Sequence, residues 1–458
     1  MTAAPGRRPL ASLADAARAS LWPLPVAFVL LATVAGVLLP LLDEALDGRL
    51  PLFVGTVVFG GGASAARDIL LTVAGAFMTV SSLTFSLTVV TLQLASSQYS
   101  PRLLRTFAGD RAVQVTLGVF LGSFAYCLVV LRTVREADGP VAEFVPKFSV
   151  TLAVLLALVG VVTLVVFLAH LARKIRIEPI LVDVHAEASA VLARSRPAEP
   201  VPASLQGRED GFAVTSDRTG FVTWVDEEAL CALARERGAV VDVVAAPGAV
   251  AVPGTLLARV LPRDPAAGPG ARSPGGGGSH DAGSHDAAAE RAVRRAVTVG
   301  EERAAGQDPT FGLRQLADVA MRAVSSSLND PTTAVHAVTH LRAVVPEALA
   351  HGVGDALVRD DDGDVRVVLR RDGLPEVLDV VVGQPAVYAS GDPMVVAALL
   401  HLLADVAVAV RPDADHLTAV LASRDRLLAA CAPLREDPRW ARLLAAASAH
   451  VDAAARGA

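Results

Sequence analysis

Nine hydrogen-bonding side chains fall within one apolar stretch, Ile69 to Gln93: Thr72, Thr79, Ser81, Ser82, Thr84, Ser86, Thr88, Thr91 and Gln93. Thr72, Thr79, Ser82, Ser86 and Gln93 recur at three-, four- and seven-residue steps, which on a helix places them on one face. Ser81, Thr84, Thr88 and Thr91 form the stripe beside it. Hydroxyls on a membrane helix can bond back to carbonyls of their own helix, but an amide such as Gln93 needs a partner or water. Two uses fit such a face. Small hydroxyl residues let helices approach and bond across an interface, which is the commoner use. The sharper one is a pore or substrate path, weakly selective because no charge lies among them.

A second polar group lies far downstream: Asp308, Arg314, Asp318, Arg322, Asn329 and Asp330. Arg314, Asp318 and Arg322 are four residues apart, the spacing of a salt-bridge ladder on a helix. Asp330 before Pro331 reads as an N-cap with proline in the first turn. The same side chains would also furnish a polar pocket for an enzyme, but the cap and ladder account for them with less. His336 and His340 are spaced as i and i+4, without the glutamate of an HExxH motif. The near-repeat Ser279-His280-Asp281 and Ser284-His285-Asp286 lies in a segment too rich in Gly, Pro and Ala to hold ligand geometry. Cys127, Cys231 and Cys431 are too dispersed for a zinc site or a disulfide framework. With no nucleophile elbow, P-loop or GxGxxG, no catalytic residue, metal or cofactor is expected. Pro247-Gly248 and Pro253-Gly254 suggest the turns of a lipoyl hairpin, but no lysine stands at a tip to carry the group.

The elements that must hold these residues are of two kinds. Four apolar segments are each about 20 residues or longer, enough to cross the hydrocarbon core. They run from about Leu21 to Leu42, Ile69 to Ala95, Val113 to Leu131 and Phe148 to Leu171, and none contains a charged side chain. Arg7, Arg8 and Arg18 precede the first, Arg102, Arg105 and Arg111 separate the second and third, and Arg173, Lys174 and Arg176 follow the fourth. The positive-inside rule therefore places both termini in the cytoplasm of a multi-pass inner-membrane protein. Acidic Asp43, Glu44 and Asp47 fit the outer side. A net charge of −6 without a basic cluster argues against nucleic acid. Gly118 and Gly122 form a GxxxG, expected to pack helices.

Beyond residue 175 the chain reads as an α+β domain. Residues 176–261 hold a helical extension and a small β-rich module with strands at Gly220 to Val225 and Ala239 to Ala245 around a helix from Asp226 to Arg237. Residues 262–288 are a flexible linker, and 289–458 are mostly helical. Strands are expected there at Ala292 to Glu301, Asp364 to Leu369 and Val377 to Val382, and a helix at Phe311 to Ser325.

Several runs resemble one family: Ser82-Leu83-Thr84-Phe85-Ser86, Leu92 through Gln98 to Arg102, and Gly118 to Gly122. Gln307 to Asp318 and Ser327 to Pro331 look like that family's cytoplasmic motif. The family is bacterial, made of predicted membrane proteins, and catalogued as domain of unknown function two-two-five-four. Its pattern has a proline at the position of Ser326, so the turn before Asn329 is expected to be looser here. The resemblance implies about four spans followed by a cytoplasmic domain, and no activity.

The expected molecule is an α-helical membrane protein with four transmembrane helices followed by a cytoplasmic α+β domain. Its function is read as channel- or transporter-like, in a homo-oligomer with the second span lining a path and the cytoplasmic domain regulating it. The competing reading is a membrane-anchored regulatory or scaffold protein that binds a cytoplasmic partner and transports nothing.

Overall fold

Apolar runs that must pair every backbone group internally can only be helices in lipid. In the computed structural model they are α1 (Pro23–Leu46), α2 (Ala63–Gln98), α3 (Arg111–Leu131) and α4 (Lys147–Lys174). The structure describes residues 22–46, 59–98, 110–136, 143–174, 177–263, 282–304, 306–411 and 413–457. The chain divides into two units, Met1–Ile177 and Glu178–Ala458.

The first four N–H groups of each helix have no partner within it, and the helix dipole favours negative charge there. Carboxylates meet that need at three N-termini. Glu143 accepts from Ala63 N at 2.7 Å at the start of α2, and Asp110 accepts from Ala112 N at 2.9 Å at α3. Asp43 accepts from Phe148 N at 2.9 Å, Ser149 N at 3.0 Å and Ser149 Oγ at 2.7 Å at α4.

Helix α3 is the one the others cover, packed by α1, α2 and α4. Gly118 and Gly122 seat Phe28 of α1: a Cβ at Gly118 would lie 2.9 Å from Phe28 Cγ, and one at Gly122 3.2 Å from the Phe28 carbonyl oxygen. Phe77 of α2 meets Phe120 of α3 at 5.9 Å between centroids. The outward faces of α1 and α4 are aliphatic, with Leu30, Leu31, Leu38, Leu158, Val162 and Val165 exposed.

The second unit opens with α5 (Ile177–Leu192), then β1 (Phe212–Thr215), β2 (Gly220–Val225), α6 (Glu227–Arg237), β3 (Ala239–Val243), β4 (Val250–Ala251) and β5 (Leu256–Pro262). After residues outside the description come α7 (Ala282–Ala296), β6 (Val297–Gly300), α8 (Phe311–Ala323), α9 (Pro331–His351), β7 (Ala356–Arg359) and β8 (Val365–Leu369). The chain ends in α10 (Leu374–Leu378), α11 (Gln384–Ala389), α12 (Pro393–Val410), α13 (Ala414–Ala430) and α14 (Pro438–Arg456).

One sheet runs β1-β5-β3-β8-β7 and another β4-β2-β6. Both take strands from either side of the Gly/Pro-rich stretch: β3 pairs in parallel with β8, and β2 antiparallel with β6. Every residue of β3 is buried, as a strand with neighbours on both edges and cover on both faces requires. Residues 176–261 are thus knitted to the part beyond the Gly/Pro-rich stretch, whose expected linker span of 262–288 gives way to helix α7 from residue 282.

Two expected strands are helical. Ala292 to Ala296 completes α7, because the alanine-rich run favours helix and only Val297–Gly300 pairs with β2. Val377 to Val382 closes α10 and continues as a π-helical turn at Asp379–Gly383. A β-branched run buried on all sides carries no period to tell strand from helix, and Leu374-Pro375-Glu376 supplies a helix start.

By length and composition five described helices could cross a membrane, not four. The fifth is α12, which is mostly buried within its own unit against α9, α13 and α14, whereas α1 and α4 are mostly exposed in theirs.

Candidate functional site

Helix α2 carries its hydroxyls on two opposed sides. Ser81, Thr84, Thr88 and Thr91 are buried toward α3 and α4. Ser81 Oγ donates to the Phe77 carbonyl at 2.6 Å, Thr88 to Thr84 at 2.8 Å and Thr91 to Leu87 at 2.8 Å, so these donors are satisfied within the helix. The Thr84 hydroxyl is buried and has no partner among the described residues. Thr72, Thr79, Ser82, Ser86 and Gln93 are all exposed, and Thr79 Oγ1 donates to the Gly75 carbonyl at 3.0 Å.

At 100° per residue the exposed hydroxyls run down the middle of the outward face. Exposed Leu71, Met78 and Phe85 flank them on one side, and Leu83 and Val90 on the other. A Cβ on Gly75, within the stripe, would meet nothing within 4 Å. Gln98 ends α2 and Arg102 lies outside the described residues, as does most of the run from Tyr99 onward.

Sequence reasoning missed a polar pair in the first unit. His170 of α4 lies with Nε2 2.7 Å from Asp110 Oδ2, and the same Asp110 caps α3. Only the aspartate before an apolar run hinted at the cap, and nothing local pointed to a partner 60 residues away.

The second motif builds a knot in the second unit. Gln307 accepts from Val225 N at 2.7 Å and donates to Val225 O at 3.1 Å, clipping itself to the end of β2. Asp308 is 2% exposed. Its Oδ1 accepts from Thr310 N at 3.0 Å and Thr310 Oγ1 at 2.9 Å, and its Oδ2 from Arg303 Nε at 2.5 Å. Arg303 also reaches Thr310 Oγ1 at 3.2 Å and lies over the Phe311 ring. Gly248, at φ +92°, leaves the room: a Cβ there would sit 2.2 Å from Asp308 Oδ2.

Asp372 stands beside this knot. Burial pushes its carboxyl above the usual carboxylate range and the Asp308 charge adds to that, while Arg303 and Arg314 oppose it. Gly312, the second residue of α8, lets α5 come close, since a Cβ would be 2.4 Å from Ala188 Cβ.

The rest of the motif lies elsewhere. Arg314, Asp318 and Arg322 project from α8, each with interaction partners. Asn329, at φ +50°, precedes Asp330, which caps α9 by accepting from Thr333 N at 3.1 Å and Thr333 Oγ1 at 2.6 Å. Those bonds, the Thr333 hydroxyl first, hold the Asp330 carboxyl below its ordinary range. Asp308 and Asp330 therefore sit at opposite ends of the 13-residue α8, about 20 Å apart along its axis. They do not form one pocket: Asp330 caps α9, and Asp308 ties the turn before α8 to Thr310 and Arg303.

Residues 18–405 match the model of a family described as "Predicted membrane protein (DUF2254)". An uncharacterized protein of Mycobacterium tuberculosis strain H37Rv is 34% identical over 383 residues, spanning 81% of this chain and 70% of the relative. Its counterpart in strain CDC 1551 is 33% identical over the same length, and one of Mycobacterium bovis is 34% identical. No solved structure matches the chain significantly.

Proposed function

The chain belongs to this family of membrane proteins, and on that premise we propose that it is a homo-oligomeric, channel- or transporter-like protein in which the outward face of α2 lines a path between copies. The second unit stands on the cytoplasmic side of the inner membrane and regulates the path, with both termini in the cytoplasm.

The observation that carries this reading is the exposed stripe Thr72, Thr79, Ser82, Ser86 and Gln93 on α2, set against aliphatic outward faces on α1 and α4. Lipid gives a hydroxyl or amide no partner, so such a stripe gains by facing water or another protein surface. Its apolar flanks are then the surfaces by which neighbouring copies close the ring. Uncharged hydroxyls offer oxygen ligands without a fixed charge, which suits weak selectivity among small ions or polar solutes.

A second reading has a specific observation in its favour. Gly75, with open space at its Cβ, and Thr79, Ser82 and Ser86 are small enough for two α2 helices to meet closely with no water between them. The protein would then be a membrane-anchored scaffold or regulator serving a cytoplasmic partner.

Flux across liposomes distinguishes the two. Wild type is compared with Ser82→Leu plus Ser86→Leu at matched incorporation and verified oligomeric size. Loss of flux in an intact oligomer supports the path, whereas absence of flux from well-folded wild type under salt, osmotic and voltage challenge moves the reading to the scaffold.

A further inference from the structure

Helix α5 is fastened to α9 by two polar contacts one helical turn apart on α5. Ser189 Oγ donates to Glu347 Oε2 at 2.6 Å, and His185 Nδ1 lies 3.0 Å from His340 Nδ1. The two imidazoles are partly buried and stand at 80° to each other with centroids 5.2 Å apart. His336, one turn before His340 on α9, is exposed.

We propose that His185 and His340 form a two-histidine site for a divalent transition-metal ion of octahedral or square-planar preference, nickel or copper in class, which staples α5 to α9. Imidazole nitrogen is the donor such ions favour, and two Nδ1 atoms from separate helices already converge here. With metal–nitrogen bonds of about 2.0–2.1 Å, a 3.0 Å separation gives an N–metal–N angle of about 94°. That is close to the right angle of octahedral or square-planar ligation and well short of the tetrahedral angle that structural zinc prefers.

Burial pushes His340 below the ordinary histidine range, and the charges that act on it are His185 on α5 and His336 on its own helix. Elsewhere on α9, Arg342 is paired with Asp405 of α12, and Glu347 takes the Ser189 hydroxyl. A neutral imidazole is the metal-binding form. Without metal, the Nδ1–H of one ring donates a hydrogen bond to the Nδ1 lone pair of the other. On binding, that donor ring carries its proton on Nε2 instead, so both Nδ1 lone pairs face the ion and no net deprotonation is needed. Among the described residues no group of three or more His, Cys, Asp and Glu side chains is placed to hold a metal, so the remaining positions fall to water.

The test uses the full-length protein in detergent without a polyhistidine tag, in a background with His280→Gln and His285→Gln to silence the Ser-His-Asp repeat. Ni2+ is titrated by calorimetry, and Cu2+ is followed by electron paramagnetic resonance. The expected result is one ion per chain, a hyperfine pattern from two nitrogens, and affinity lowered at least about tenfold by His185→Gln or by His340→Gln. Ser189→Ala, which loosens the same helix pair without touching a ligand, is expected to keep the affinity. No binding at millimolar Ni2+, or binding that survives His185→Gln, overturns the proposal. So does a loss in Ser189→Ala as large as in the histidine variants.

Discussion

Replacing Gly248 with alanine should break the knot around Asp308 without touching any residue of the Gln307–Asp318 motif itself. Two costs add. At φ +92° an L-residue is strained by roughly 1–2 kcal/mol. The new Cβ would also sit 2.2 Å from Asp308 Oδ2 and 2.7 Å from Arg303 Nε and Nη2, so one of the pair must move. Neither moves cheaply, because the Asp308 side chain is 1% exposed and the Arg303 side chain 13%. Breaking a buried pair leaves an uncompensated charge and costs about 3–5 kcal/mol, for a total of about 4–7 kcal/mol. Two units make a single unfolding midpoint hard to interpret, so hydrogen exchange on the detergent-solubilised protein is the assay. Protection should fall in β2 and α8 and stay unchanged in α1–α4. In an Asp308→Ala background the clash with Oδ2 is gone and Arg303, released from its partner, can swing away from the new Cβ, so Gly248→Ala should add little beyond the backbone strain. A single variant within about 1 kcal/mol of wild type, or full additivity in the double variant, refutes the reasoning.

Two further outcomes follow from the caps and the histidine pair. Asp43→Ala removes the acceptor of three hydrogen bonds at the start of α4 and should cost about 1–2 kcal/mol, read as lower hydrogen-exchange protection in the first turns of α4, with Asp43→Asn in between. In metal-free protein, His340 has a folded pKa below its unfolded one, so its contribution to stability is fully present above about pH 6.5 and is lost as pH falls through the folded value. His340→Gln should flatten that part of the stability profile of the second unit, and an unchanged slope would count against the burial of this imidazole.

The apolar helices are legible in the sequence because lipid imposes one demand, an unbroken apolar run of about 20 residues, and α1–α4 are long and apolar enough to meet it. That demand says nothing about context, which is why α12 passes the same test although α9, α13 and α14 cover it. Caps within a few residues of their helix are readable, as Asp330 before Pro331 shows. Those that act over long separations are not: Glu143 caps a helix starting 80 residues earlier, and Asp43 one starting about 105 later. In sequence Asp308 is one of a set of polar residues that a cap and ladder explain, and its burial is not legible there, since only the folded chain brings Gly248 and Asp372 to it. His185 and His340 are 155 residues apart, and the sequence pairs His340 more readily with His336 on its own helix.

Counting hydroxyls on α2 does not separate packing from passage, because a serine or threonine that bonds back to its own helix is nearly indifferent to what lies beside it. The Ser81, Thr88 and Thr91 hydroxyls do this on the buried side and Thr79 does it on the exposed side, so back-bonding is common to both. The two sides differ in their neighbours. On the buried side the hydroxyls sit among Leu70, Phe77 and other core residues, where small size lets α3 and α4 approach. On the outward side they form a narrow polar stripe between two apolar flanks, and Gln93, which has more hydrogen-bonding capacity than one back-bond can use, continues that stripe. Lipid would reward the flanks and not the stripe, so the face suits lipid only in part. The proposed ring of copies would resolve the conflict, with flanks on neighbouring helices and the stripe turned to the axis. Leucines at positions 82 and 86 would dry that axis while leaving the flanks able to assemble, which is why the double variant separates passage from packing.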